Sequence, residues 1–412
     1  MRPLPGLCLA AMLWLGVPVP STAQAAGSEL DVALLTVGPG KYVWEKFGHN
    51  AIVVVDRATG RARSYNYGLF DFRQQHFLLR FVQGRMWYAM GSRSAQREID
   101  MYTRADRTVV LQRLGLSPAE RASLQAFLAW NDTDEHRHYH YDYYRDNCST
   151  RVRDALDRAL GGDLRARFDT MATGTTYRWH TARLTTARPL LYAGLMVAMG
   201  RPIDAPLSAW EEMFLPMKVA EHLRGVSRRD ASGASVPLVV AETVVHTSTR
   251  YPDPERPAAL GLPFLAVGLL VGAGLWLAGR SRRPAGRTAY RVLGTALSVV
   301  AGLGGLFLLG TWFLTDHVVA RQNASVLLLS PLSLVLAFLL PGAARDTPRR
   351  GRAALGTALL VLALAALAVV AHAWPGFHQP IAELLLLILP IHLGVVLGLL
   401  AVLRRDAQAP TA

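Results

Sequence analysis

Asp146-Asn147-Cys148-Ser149-Thr150-Arg151 reads as the start of a helix that runs through Val152, Ala155, Leu156 and Leu160 and stops at Gly161-Gly162. The other cysteine, Cys8, falls in an N-terminal segment built like an export signal. A lone thiol carried into an oxidising compartment has no disulfide partner in its own chain, so it is either an inert buried residue or a reactive nucleophile. With Asn147 as the cap, Cys148 stands where unpaired backbone N–H groups and the positive end of the helix dipole favour a thiolate. The same N–H groups suit the oxyanion of a tetrahedral acyl intermediate.

A thiol with an ordinary pKa of ~8.5 is mostly protonated at neutral pH, so a nucleophilic reading requires a base. His49 is the best candidate, in Glu45-Lys46-Phe47-Gly48-His49-Asn50-Ala51, where the preceding glycine permits close backbone approach. A third group should fix the imidazole tautomer. Asn66, in Ser64-Tyr65-Asn66-Tyr67-Gly68, is the first choice, with Asp71 and Glu45 behind it. The tyrosines from Tyr139 to Tyr144 line the approach to the thiol or simply pack there.

Around these residues the pattern mixes strands and helices. Residues 30–37 and 51–56 are short, apolar and rich in β-branched side chains, and turn residues lead to a return strand over 63–67. Further strands are expected over 86–90, 108–114 and 235–247. Ser117-Pro118-Ala119-Glu120 opens a capped helix with Leu124, Phe127 and Leu128 on one face. Helices are also expected over 71–83, 190–199 and 215–223. The first of these mixes aromatics and arginine; its ordinary reading is an amphipathic core helix, its alternative a segment at a bilayer interface. His136, His138 and His140 would share a face of a strand, but nothing nearby completes a recognised metal spacing, and no metal is expected.

The chain ends differently from how it begins. Residues 1–26 combine Arg2, an apolar stretch and Ala23-Gln24-Ala25, the pattern of a cleaved secretory signal. From residue 258 five apolar runs follow, over 258–278, 292–313, 324–340, 353–374 and 381–403. Four match the ~20 residues that cross a bilayer; the third is shorter and carries Ser330, Pro331 and Ser333. Arginines fill the first and third connections and the C-terminus, whereas the second carries only Arg321 and the fourth none. Basic loops stay cytoplasmic, so residues 27–257 face the periplasm and residues 258–412 form the membrane domain. The net charge of +14 therefore belongs in good part to cytoplasmic loops facing anionic lipid. Export excludes a nucleic-acid partner, and the absence of a Walker or dinucleotide glycine pattern excludes a nucleotide cofactor; none is expected.

Phe47-Gly48-His49-Asn50-Ala51, then Tyr65-Asn66-Tyr67-Gly68-Leu69-Phe70-Asp71-Phe72, then Asp146-Asn147-Cys148-Ser149-Thr150-Arg151 resemble, in that order, the exported domain of the Lnb-type lipoprotein N-acyltransferases. Thr315-Asp316-His317 and residues 323–331 are more loosely similar to a membrane-face segment of the same family. The resemblance implies an α+β, permuted papain-like (NlpC-like) domain, a small antiparallel sheet with the cysteine helix packed on it, followed by an all-α domain of five transmembrane helices. It implies an inner-membrane acyltransferase in which Cys148 takes an acyl chain from a phospholipid as a thioester and passes it to an amine, the N-terminus of a diacylated lipoprotein. His49 would accept the thiol proton and later deprotonate the amine. Asn147, Glu45, Asp71 and Tyr144 are supporting candidates, and His317 and Asn323 candidate substrate contacts at the membrane face. The competing readings are a thiol peptidase or amidase of the cell wall and a non-enzymatic receptor or scaffold.

Overall fold

The computed structural model describes residues 25–71, 73, 75–229, 232–343, 347–374 and 379–406. The expected signal lies almost wholly outside the described residues. The first half is built on a seven-stranded antiparallel sheet of order β6-β4-β3-β2-β1-β5-β9, comprising β1 (Leu30–Val37), β2 (His49–Asp56), β3 (Arg61–Leu69), β4 (Trp87–Ser94), β5 (Val109–Leu114), β6 (His138–His140) and β9 (Val239–His246). A separate ribbon pairs β7 (Ser227–Arg229) with β8 (Ser235–Pro237). The strand expected over 235–247 is thus divided: Leu238 is buried between two pieces that belong to different sheets.

Alternation along the strands makes three layers. Ile52, Val54, Tyr65 and Tyr67 pack with Leu124 and Leu128 of α3 (Pro118–Asn131) and with Val152 and Leu156 of α4 (Cys148–Ala159). The opposite face carries Leu35, Val37, Ala51 and Val53 against Ala95 and Ile99 of α2 (Ala95–Arg104), a helix the periodicity did not announce. The start of α3 carries the expected capping box: Ser117 Oγ accepts from Glu120 N at 3.3 Å and Glu120 Oε2 from Ser117 N at 2.7 Å.

The helix expected over 71–83 is shorter. Phe72 and Gln74 lie outside the described residues, His76 adopts a left-handed φ of 56°, and α1 runs only over Phe77–Gln83. Its apolar side chains are not core. Leu78, Leu79 and Val82 are 76%, 55% and 56% exposed, which contradicts the core reading.

Behind the cysteine helix, α5 (Asp163–Phe168), α6 (Tyr177–Thr185), α7 (Pro189–Ala198), α8 (Ala209–Glu212) and α9 (Pro216–Arg224) link the sheet domain to the membrane helices. Among the described residues, five segments are long and apolar enough to cross a membrane: α10 (Gly261–Arg280), α11 (Pro284–Leu314), a broken third of α12 (Ser325–Leu328) and α13 (Leu332–Leu339), α14 (Pro348–Ala373) and α15 (Ala382–Asp406). The break falls at the expected Ser330-Pro331, since proline cannot donate to the preceding turn. The second helix begins earlier than expected, so Arg287 and Arg291 are helical rather than loop residues. α10 and α15 approach closely along small residues; a Cβ on Gly272 would lie 2.2 Å from Pro390 O, and one on Gly279 2.4 Å from Gly398 O. His392 of α15 shares a 2.9 Å hydrogen bond with Leu328 O, a link between spans rather than a site.

Candidate active site

His49 is the first residue of β2, and Gly48 before it has φ +81°. A Cβ on Gly48 would lie 2.7 Å from Val37 O and 2.8 Å from Met217 Sδ, so only glycine lets the chain enter the strand here. Asn66 follows from the pairing of β3 with β2, in which Ala51 faces Asn66. It therefore points to the same side of the sheet as His49, toward α2.

Asn66 is fully buried and bridges two groups. Its Nδ2 donates to Glu98 Oε2 at 2.8 Å, and its Oδ1 lies 2.8 Å from His49 Nε2. A carboxylate only accepts, so Glu98 fixes which way the amide points. The imidazole must then donate from Nε2, which leaves Nδ1 for the thiol. Ser64 also donates to Glu98 in a short bond. Glu98 was not legible in the sequence. Its one signal is position: Ala95, Glu98 and Tyr102 lie on one stripe of α2, and a carboxylate in an apolar stripe needs a partner.

Cys148 is the first residue of α4 and is partly exposed. Asn147 caps the helix with bonds of 2.9 Å from both Ser149 N and Thr150 N, while its Nδ2 donates to Tyr143 O and Phe214 O at 2.9 and 3.0 Å. Asn50, another residue the sequence did not single out, accepts from Ser149 Oγ at 2.8 Å and donates to Thr36 Oγ1 at 2.9 Å. That pair of bonds pins the cysteine end of α4 to β1 and β2. Gly68, with φ +87°, lies beneath the thiol: a Cβ there would stand 3.4 Å from the Cβ of Cys148. The register of β3 against β4 shifts between Asn66 and Leu69, a bulge that opens the sheet where the thiol meets it.

The electrostatics favour an ion pair. Burial disfavours the thiolate, but the charge and hydrogen bond of His49, with the backbone N–H groups of Asn50 and Ser149, outweigh it and hold Cys148 below an ordinary thiol. Burial likewise disfavours the imidazolium. The thiol, then Glu98 and Asn66, outweigh it, and His49 stands above its ordinary value. Tyr88 stacks on Tyr141 at 4.1 Å, and burial followed by the thiolate charge pushes Tyr88 up to about 12, so this wall of the site stays neutral.

Other expected site residues lie elsewhere. Glu45 accepts from Tyr42 N at 3.0 Å and faces Arg107 at 3.7 Å; Asp71 pairs with exposed Arg73 at 3.1 Å. Neither reaches the imidazole's partner position, which Asn66 fills. Tyr144 points away into the seam with α6, its hydroxyl 2.8 Å from Thr181 Oγ1. Asn323 is buried and spent on structure, donating to Val197 O at 2.7 Å and accepting from Ser325 N at 2.9 Å. His317 lies in the connection after α11, its Nε2 within 2.9 Å of Phe81 O. His136 lies off strand β6, 2.9 Å from Thr133 Oγ1, and the described residues contain no cluster of three or more His, Cys, Asp or Glu able to hold a metal.

A thiol paired with an imidazole at a helix start, carried on a sheet domain and followed by five apolar spans, defines a membrane-anchored thiol enzyme. The Lnb N-terminal periplasmic domain matches residues 18–186 and the Lnb transmembrane domain matches residues 258–403. Together they cover well over half of the chain, which belongs to the Lnb family. Comparison with curated proteins and with solved structures gives no match. The chain is thus an inner-membrane, cysteine-dependent acyltransferase with a periplasmic N-terminal domain and a cytoplasmic C-terminus, and it passes an acyl chain through a thioester to a lipoprotein amine.

Proposed function

We propose that Cys148 is the acyl-carrying nucleophile, His49 its base and Asn66 the group that holds the imidazole, with Glu98 as a positioning residue behind it. The observation that carries this reading is the unbroken run from Glu98 through Asn66 and His49 to the thiol, with two backbone N–H groups at the sulfur. In this scheme the thiolate attacks the carbonyl carbon of a phospholipid ester, the S–C bond forms, and the C–O bond breaks. His49 returns the proton to the departing alkoxide of the lysolipid. The N-terminal amine of a diacylated lipoprotein then attacks the thioester, His49 takes its proton, and the thiol is released.

Residues 1–26 serve as the leader, 27–257 as the periplasmic unit and 258–412 as the membrane unit. Mass spectrometry of the purified protein after incubation with phospholipid vesicles tests the scheme. The expected product is a long-chain, hydroxylamine-labile adduct on Cys148, absent from Cys148→Ala and strongly reduced in His49→Ala. No adduct on the wild-type chain would discard the scheme in favour of a thiol peptidase or a receptor.

A further inference from the structure

Helix α1 exposes a run of apolar side chains, Leu78, Leu79, Phe81 and Val82, and its position says what covers that face. Gln83 O accepts from Asp316 N at 2.8 Å, Arg85 Nε pairs with Asp316 at 2.6 Å, and His317 Nε2 lies 2.9 Å from Phe81 O. A Cβ on Gly84 would stand 3.0 Å from His317 N, so helix and connection are in direct contact. That connection follows Phe313 and Leu314, which are 71% and 80% exposed at the outer end of a membrane span. The exposed face of α1 therefore continues the lipid-facing surface of α11, and Arg80 within it suits phosphate headgroups.

From this point a row of rings leads inward. His317 stacks on Tyr143 with centroids 6.2 Å apart, Tyr143 meets Tyr141 edge-on at 5.9 Å, and Tyr141 stacks on Tyr88 at 4.1 Å. Tyr141 also lies against Gly68, the residue beneath the Cys148 side chain. Met86 Sδ receives the hydroxyls of Tyr88 and Tyr143 at 4.0 and 3.9 Å. Such a lining has the character of an alkyl-chain path.

We propose that α1 is the lipid-contacting lip of the thiol site: it lies in the outer leaflet beside α11 and feeds phospholipid acyl chains past Tyr143, Tyr141 and Tyr88 to Cys148. This rests on the reading of Cys148 as the acyl carrier. The bilayer itself, rather than a protein partner, is the occupant, because the face is continuous with a membrane span.

Two measurements on the full chain in phospholipid nanodiscs test it. In a Cys8→Ser, Cys148→Ala background, nitroxides at Leu79→Cys and Val82→Cys should be more accessible to oxygen than to a water-soluble nickel chelate. A label at Thr59→Cys, in the turn between β2 and β3, should show the reverse. Leu79 and Val82 labels as nickel-accessible as the Thr59 label would overturn the proposal.

In the second measurement, the Leu78→Glu/Leu79→Glu variant with native Cys148 should lose thioester formation from vesicle phospholipid about tenfold. Its thioester formation from a water-soluble short-chain acyl ester should be unchanged. Equal loss with both donors would overturn the proposal and make α1 a structural support. If the wild-type chain forms a thioester with neither donor, the acyl-carrier reading fails instead, and the nitroxide depths judge the helix by themselves.

Discussion

At the residue scale the proposed chemistry turns on which nitrogen of His49 is free, and that is decided two hydrogen bonds away by Glu98. The chain Glu98–Asn66–His49 leaves Nδ1 for the thiol and adds negative charge behind the imidazolium. Cys148 sits below an ordinary thiol and His49 above an ordinary imidazole, each charge favouring the other. Alkylation of Cys148 by iodoacetamide should therefore continue to lower pH than for a free thiol and fall as the thiolate is protonated. Raising the pH through the His49 value leaves the thiolate intact but removes the proton that the leaving alkoxide needs, so acyl transfer should decline while alkylation does not. In His49→Ala, alkylation at pH 7 should slow about tenfold or more, with its midpoint moved up toward an ordinary thiol. Glu98→Gln should move the midpoint in the same direction by less, and a profile identical to wild type would remove Glu98 from the site. That Cys148, His49 and Asn66 come together was legible because each stands beside a local signal, a helix start or a nearby glycine. Glu98 stands in a helix that has no such punctuation, and its partner is 32 residues away.

Among the elements, α4 is held in place by its first turn. Asn147 supplies both the cap and, through Nδ2, two bonds that tie the turn to Tyr143 O and Phe214 O. Loss of such a cap costs about 1–2 kcal/mol, and the two orphaned carbonyls add to it. Asn147→Ala should lower the thermal midpoint in detergent and slow alkylation of Cys148. Asn147→Asp, which keeps the cap but cannot donate, should retain the alkylation rate better than alanine while remaining destabilised. The elements themselves were uneven in legibility. A capping box announced α3, an asparagine cap and a closing glycine pair α4, and short β-branched apolar runs the central strands, because those signals are local. The seven-strand order was hidden, since β9 pairs with β5 across more than a hundred residues and only tertiary packing brings them together. Helix α1 was misread for a different reason. Its apolar spacing fits a core face and a lipid face equally well, and only its neighbour, the outer end of α11, distinguishes them.

For the whole molecule the question is how a soluble fold keeps its thiol at a fixed height over a bilayer. The seam is polar and specific. Gly200 N donates to Val319 O at 2.7 Å, Asn323 reaches Val197 O, and Gln379 donates to Met199 O and Asn323 Oδ1, both at 3.1 Å. Arg178, buried, gathers Met199 O, Gly200 O and Asp204 onto one guanidinium, with Asp204 Oδ1 at 2.6 Å. Tyr192 in turn bonds Glu383 at the start of α15. These contacts join α7 to connections on the periplasmic side, so Asn323, read from sequence as a substrate contact, acts as a fastener. Gly200 is the tightest point: a Cβ there would lie 1.9 Å from Arg321 O. Gly200→Ala must therefore push the connection away and break the bond to Val319. Hydrogen exchange should report a loss of protection in peptides covering 196–203 and 316–322, with α4 still protected. Thioester formation from bilayer phospholipid should fall several-fold while iodoacetamide alkylation of Cys148 stays at the wild-type rate, because the reacting pair lies wholly within the sheet domain. Loss of both together would mean that the seam shapes the thiol site itself rather than its height above the membrane.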